Sequence, residues 1–222
     1  MSEKAIFTWS GGKDSALALY HNQQSGDFEI IALLTTITSD FDRVSMHGYR
    51  TLLLEQQAKA MDYNLEKVLI TKKCTNQEYE TQMKNTLEKY RTQGIYKVIF
   101  GDIFLEDVRK YREDNLKKLD MTGVFPLWKK DTKILAKEFI KLGFRAVVTC
   151  VDSSMLDGSF VGHEFDKTLL DELPENVDPC GENGEFHTFV YDGPIFDEGI
   201  SVKKGDVVVK EGRFHFCDLI PK

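Results

Sequence analysis

The sequence predicts an α/β fold: a doubly wound parallel sheet followed by a smaller C-terminal α/β domain. Three observations carry this. Short apolar runs alternate with longer helical ones through the first two-thirds of the chain, the pattern of successive βα units. The glycine and polar clusters of this region fall where the strands end, which is where open parallel sheets bind ligands. The rhythm then changes near Gly123-Val124-Phe125-Pro126-Leu127-Trp128. With 222 residues the chain has room for two modest domains, and the boundary is expected at 128, giving segments 1–128 and 129–222.

The elements follow in order. Ala5-Ile6-Phe7-Thr8-Trp9 is short, apolar and rich in strand formers, so a first strand covers about 4–9. A helix to about 24 places Leu17, Tyr20 and His21 on one face. Phe28 to Thr36 is apolar without alternation, as in a strand buried on both faces. A polar loop from Ser39 to Met46 leads into a helix from Tyr49 to Met61. Lys67 to Ile70 is a third strand, and Thr75 to Gln93 is helical, stopped by Gly94. Tyr96 to Phe100 is a fourth strand that breaks at Gly101-Asp102, before a helix over about 105–119. A helix over about 132–142 and a strand from Ala146 to Cys150 continue the rhythm. Pro174 to Glu185, rich in Pro, Gly, Asn and acidic residues, is a long ordered loop. The tail reads as short antiparallel strands: Phe186 to Tyr191, Ile200 to Lys203, Asp206 to Lys210 and Arg213 to Cys217. Lys204-Gly205 and Glu211-Gly212 are read as the turns between the last three. Such strands offer edges through which a homo-oligomer could pair.

The net charge of −7 and pI near 5.3 argue against general affinity for nucleic acid. Ser2-Glu3-Lys4 runs straight into the first strand with no signal-like apolar stretch, and no run has the length of a membrane span. Cys74, Cys150, Cys180 and Cys217 are far apart with no C-x-x-C pair, which fits free thiols in a reducing cytoplasm.

The most informative stretch is Ser10-Gly11-Gly12-Lys13-Asp14-Ser15, between the first strand and the first helix. Two glycines let successive backbone N–H groups line one concavity. Ser10 and Ser15 add hydroxyls, Lys13 adds a charge, and the helix start adds unsatisfied amides and its positive dipole end. Such a loop holds a pyrophosphate. It is not a Walker A loop, because Asp14 follows Lys13, and it lacks the G-x-G-x-x-G fingerprint. It resembles the SGG-x-DS signature of the PP-loop ATP pyrophosphatases, enzymes that cut ATP between the α and β phosphates.

A second motif is Asp178-Pro179-Cys180-Gly181-Glu182-Asn183-Gly184-Glu185-Phe186-His187, in which two carboxylates sit where a loop enters a strand. With Gly101-Asp102, Arg112-Glu113, Pro126-Leu127-Trp128, Leu156-Asp157 and Gly162, these motifs resemble the diphthine–ammonia ligase family nearly end to end. Ser45-Met46-His47-Gly48-Tyr49-Arg50 and Glu182-Asn183-Gly184 look like a bacterial-type branch. The resemblance implies a Rossmann-like HUP domain that binds ATP, then a second domain, with catalysis between them. It also implies cleavage of ATP to AMP and pyrophosphate while a carboxylate and ammonia become an amide.

These readings name the site. Ser10, Gly11, Gly12, Lys13, Asp14, Ser15, His47, Gly101, Asp102 and Arg112 are candidates for binding ATP. Lys13 and Asp14 are candidate catalytic groups, and Asp14 a candidate ligand for Mg²⁺. Glu182, Glu185 and His187 are candidates for accepting the proton of ammonia, the two carboxylates alternatively for holding ammonium or a second metal. Phe7, Thr8, Trp9 and Leu34 to Ile37 are candidates for the adenine wall. Partners would be ATP, ammonia and a carboxylate-bearing acceptor. Two other functions fit parts of the pattern: a tRNA- or nucleobase-modifying enzyme of the same superfamily, and an ATP sensor without chemistry.

Overall fold

The first ten elements build a mostly parallel sheet. They are β1 (Glu3–Thr8), α1 (Lys13–Ser25), β2 (Phe28–Thr38), β3 (Arg43–Val44), α2 (Thr51–Ala60), β4 (Leu65–Ile70), α3 (Asn76–Arg91), β5 (Lys97–Ile99), α4 (Glu106–Lys117) and β6 (Thr122–Val124). The structure is a computed structural model that describes residues 2–45 and 47–222. Met1 and Met46, the latter in the segment read as bacterial-type, lie outside the described residues. The parallel strands run β4–β2–β1–β5–β6 across the sheet, and the short β3 pairs antiparallel with the end of β2. Strand order therefore reverses between β1 and β5, the switch point at which such sheets open a crevice.

The alternation of side chains along β1 sorts the core into two layers. Ala5, Phe7 and Trp9 join the cluster that contains the buried faces of α1 and α2. Ile6 joins Leu34, Val98 and Phe100 under Leu87 of α3 and Leu116 of α4. α3 starts with a full capping box, Thr75 accepting from Glu78 N–H and Glu78 accepting from Thr75 N–H. α1 ends at Gly26 in the left-handed conformation that a C-cap requires.

The rest of the chain forms α5 (Thr132–Lys141), β7 (Arg145–Asp152), a 3₁₀ turn at Gly158–Phe160, α6 (Lys167–Glu172), β8 (Phe186–Asp192), β9 (Val202–Lys210) and β10 (Phe214–Pro221). Its four strands make an antiparallel sheet in the order β8–β7–β10–β9. Its core belongs to the same apolar cluster as α1 and α2, through Phe186, Phe189 and Val190.

The structure departs from the sequence reading in four places. The strand at Ala146 to Cys150 belongs to β7 of the antiparallel sheet, so the parallel rhythm ends at β6, a fifth parallel strand hidden where the change of rhythm was seen. α6 and β3 were too short to leave a periodic signal. The runs at 200–203 and 206–210 fall largely on one strand, β9. Lys204-Gly205 makes no turn there. Residues 205 and 206 stand opposite Asp218 alone, because Lys204 pairs with Leu219 and Val207 with Cys217, so the glycine serves a bulge. Glu211-Gly212 is a true turn, both residues at positive φ. All four cysteines are free, and among the described residues no helix is long and apolar enough to cross a membrane.

Candidate active site

The loop between β1 and α1 is held from three sides. Gln57, fully buried on α2, accepts from Trp9 Nε1 (2.9 Å) and donates to the carbonyls of Gly11 (3.0 Å) and Val190 (2.6 Å). The Tyr49 hydroxyl donates to the Ser10 carbonyl. Val190 N–H of β8 donates to the Gly11 carbonyl at 2.9 Å. Gly11 is at φ +73°, and a Cβ there would stand 2.5 Å from Gln57 Oε1, so the position needs glycine on both counts. It packs against this frame and does not line the cavity.

α1 has Gly12 as its N-cap and therefore no capping side chain of its own. Thr188 of β8 supplies one across the fold, its Oγ1 accepting from Lys13 N–H at 3.0 Å. Ser10 and Ser15 spend their hydroxyls inside the loop. Their oxygens lie 3.1 Å apart, Ser15 Oγ donates to the Gly12 carbonyl (2.9 Å), and Ser10 Oγ accepts from Gly12 N–H (3.3 Å). The amides of Asp14 and Ser15 donate to no group among the described residues. Gly101, at the end of β5, lies directly over them, and a Cβ on it would stand 3.0 Å from Ser15 N. A side chain at this position would crowd the Asp14–Ser15 peptide.

A cavity of about 830 Å³ opens here, at the carboxyl ends of β1, β2 and β5. That volume suits a ligand of nucleotide size. It is lined by Ser10, Gly12, Lys13, Asp14, Ser15, His47, Gly101, Asp102, Arg112, Glu182 and His187. Eleven of the candidate residues, spread from Ser10 to His187, thus surround one space; Gly11 and Glu185 do not. Of the adenine-wall candidates, Thr8, Trp9, Leu34, Thr35 and Thr36 line it, whereas Phe7 and Ile37 are core. The cavity continues between α3 and α4 past Met83, Leu87 and Val108.

Lys13 is almost fully buried. Its ammonium donates to Asp14 Oδ2 (2.8 Å) and to the Cys180 carbonyl, and lies 5.3 Å from the Phe186 ring. Burial pulls its pKa down, but Asp14, the Cys180 thiol and Glu182 outweigh that and hold it above the ordinary value, so it stays charged. Asp14 is pushed up by burial and by Asp178 and Asp102, against the pull of Lys13. Glu182 accepts from Ile103 N–H at 2.7 Å, tying the 178–185 loop to the end of β5. Burial raises its pKa to about 7, the Ile103 bond opposes this, and Asp14 and Asp102 add to it. Asp102 is paired with Arg112 by two contacts, 3.0 and 2.6 Å, and the guanidinium lies over Phe100.

The rings of His47 and His187 lie 4.6 Å apart, tilted by 41°. Burial holds His187 down at about 4, with Lys13 adding to the effect. Burial and then His187 put His47 well below the usual histidine range, so both rings are neutral at pH 7. His47 sits 3.3 Å from the Thr188 carbonyl through Nδ1. Glu185 turns away into its own loop, where Oε1 accepts from Asp178 N–H (3.1 Å) and Asn183 Nδ2 (2.9 Å). Cys180 is buried, and burial pushes its thiol far up, which removes it as a nucleophile. Among the described residues no three His, Cys, Asp or Glu side chains gather closely enough to hold a metal by themselves.

Gln57, Tyr49 and Thr188 were not among the residues expected from sequence. Gln57 did leave a trace, as the one amide between Leu53, Leu54 and Ala58 on the buried face of its helix.

The class these features define is matched by sequence families. The profile of the diphthamide synthase N-terminal domain matches residues 3–123, and that of the diphthamide synthase C-terminal domain residues 131–218. The chain therefore belongs to the diphthamide synthase family. Among curated relatives named diphthine–ammonia ligase, the Homo sapiens protein is 28% identical over 90% of this chain and 83% of its own length. The Danio rerio protein is 27% identical over 90% and 86%, and the Schizosaccharomyces pombe protein 27% over 92% of this chain. This chain spans only 37% of the length of the yeast relative. A U34-tRNA thiolase from Methanococcus maripaludis superposes over 64% of this chain and 58% of its own, with a TM-score of 0.38 and 17% identity, too distant a likeness to argue from.

Proposed function

We propose that the chain is an ATP-dependent amide ligase, which cleaves ATP to AMP and pyrophosphate to activate a carboxylate for attack by ammonia. The observation that carries this reading is the start of α1. Two amides without partners among the described residues and a charged, buried lysine meet a nucleotide-sized cavity at the switch point of a parallel sheet, beside a glycine where any side chain would crowd that peptide. Membership of a family whose curated relatives are named as ligases supports it.

The chemistry divides among the residues by their surroundings. Pyrophosphate leaves with growing negative charge, which the Asp14 and Ser15 amides, the dipole of α1 and the Lys13 ammonium stabilise. To meet the phosphates Lys13 gives up part of its present bonding to Asp14 and Cys180, and Asp14 is then free to face a cation. Mg²⁺ beside Asp14 would neutralise phosphate charge, with phosphate and water oxygens supplying the other ligands, since the described residues offer no cluster of their own. Arg112, paired with Asp102, positions that carboxylate at the rim. Glu182, with a pKa of about 7, is matched to take a proton from ammonium or from the attacking amine at neutral pH. His187, neutral down to about 4, is too weak a base for that and acts as a dry wall with His47. Glu185 shapes the loop that carries Glu182.

The test is the product pair. Incubation with ATP, Mg²⁺, ammonium and candidate carboxylates should release AMP and pyrophosphate and support ATP–pyrophosphate exchange. ADP with phosphate, or nucleotide binding without cleavage under any acceptor, would overturn the reading.

A further inference from the structure

β9 is an outer edge of the antiparallel sheet, and its last five residues are exposed. Val207, Val208 and Val209 are 51%, 49% and 51% exposed. Successive side chains of a strand point to opposite faces, so this stretch is apolar on both faces, and its backbone is unpaired along the edge away from β10. The two halves of the edge differ. Lys203, Lys204 and the bulge at 205–206 guard the first half in the way edges are usually kept from pairing. Beyond the bulge, Val207 to Lys210 pair regularly with β10 and carry no such device. Phe41, 48% exposed, lies beside it with its ring 5.3 Å from the Lys210 ammonium, and extends the patch.

We propose that this edge pairs antiparallel with β9 of a second copy, across a two-fold axis at Val208. Symmetry and side-chain alternation allow only registers centred on a residue, because partners across the axis must share a face. The sequence distinguishes among these. Centring on Val208 sets Val208 against Val208 of the partner subunit and Val207 against Val209 of the partner subunit. It also sets Asp206 against Lys210 of the partner subunit, and the reverse, giving two opposite-charge pairs. Centring on Val207 would instead oppose Lys204 and Lys210 twice, and like charges directly opposite destabilise a sheet. Centring on Val209 would leave Asp206 opposite Gly212, in the turn, and lose both charge pairs. The two four-stranded sheets then become one continuous sheet, and neither copy keeps the bare edge.

The test is sedimentation equilibrium of the full chain with a charge swap. Wild type should dimerise. Asp206→Lys and Lys210→Asp should each weaken the dimer at least about tenfold, since each turns two attractive pairs into two repulsive ones. The double variant D206K/K210D should recover it. The two single variants mixed should form a heterodimer by native mass spectrometry, because every pair is then opposite in charge. Asp206 is exposed, so D206K keeps the fold even if K210D loses the contact of Lys210 with Phe216. Val208→Glu, which opposes itself across the axis, gives a second break, with circular dichroism and melting checking each fold. A wild type that stays monomeric, or a dimer indifferent to these changes, would overturn the proposal.

Discussion

At the scale of single residues, Lys13 and Glu185 separate what the phosphate loop and the acidic 178–187 motif do. Lys13 brings a buried positive charge to the cavity wall, and its replacement by alanine removes the group that meets the leaving pyrophosphate. Lys13→Ala is expected to lower turnover by about 10²–10³, the usual cost of deleting one preorganised charge-stabilising group, read as pyrophosphate release. Glu185 faces its own loop, and glutamine can keep its Oε1 accepting from Asp178 N–H and Asn183. Glu185→Gln should therefore leave ATP affinity, measured by calorimetry, within about twofold of wild type, on the view that loop-internal contacts hold no nucleotide. Equal loss of affinity in both variants would contradict this division of labour. Gly101→Ala is a third case at this scale. Its new methyl would crowd backbone atoms of Asp14 and Ser15, which cannot rotate away as a side-chain tip can. ATP affinity should fall while folding, followed by circular dichroism, survives; unchanged affinity would mean that phosphate does not sit on those amides.

At the scale of elements, the site depends on one helix of the parallel sheet and one strand of the antiparallel sheet gripping the same loop. Gln57→Leu keeps the apolar face of α2 but leaves buried Trp9 Nε1 without its acceptor and takes one donor from each of the Gly11 and Val190 carbonyls, the former keeping Val190 N–H. A buried group left unsatisfied costs about 1–3 kcal/mol. For a chain of this size each kcal/mol lowers Tm by about 2–4 °C, so a thermal melt should show a drop of several degrees. A melt within a degree of wild type would mean the amide does not frame the loop. This grip also marks the limit of sequence reading. The phosphate loop was legible because strand, glycines and helix start are adjacent in the chain, and each signals its own conformation. The alternation of strands and helices up to β5 was legible for the same reason. Gln57 acts on Trp9 48 residues away, Tyr49 on Ser10 39 away, and Thr188 on Lys13 175 away. No local pattern encodes such partners. The 178–185 motif showed the reverse failure. Its two acids looked equivalent in sequence, and only the path of the loop sends Glu182 to the cavity and Glu185 inward. Gly205 misled for a related reason, since a glycine marks a departure from regular backbone without saying whether it is a turn or a bulge.

For the whole molecule, the buried ionisable groups around the cavity make stability depend on pH in two opposing senses. Glu182 titrates at about 7 in the folded protein against an ordinary value of 4.5. Between those values the folded state keeps a proton that the unfolded chain has lost. Its contribution is therefore full below about pH 4.5 and disappears as pH rises through 7. His187 titrates at about 4 against an ordinary 6.5. There the unfolded chain binds the proton first, so its contribution is full above about 6.5 and disappears as pH falls through 4. His47, also shifted down, adds to the histidine sense. Acidifying from pH 7 to 5 thus gains stability from Glu182 while losing it from the histidine pair, and the two partly cancel. Glu182→Gln removes the gain and keeps the loss, so its melting temperature should fall more steeply than that of wild type over this range. His187→Gln removes part of the loss, so its melting temperature should hold or rise as pH falls. Melting curves at pH 5, 6 and 7 for the three proteins decide the matter. Parallel profiles for Glu182→Gln and wild type would show that Glu182 is ionised like a surface carboxylate, and it would then be unsuited to exchange protons with ammonium at neutral pH.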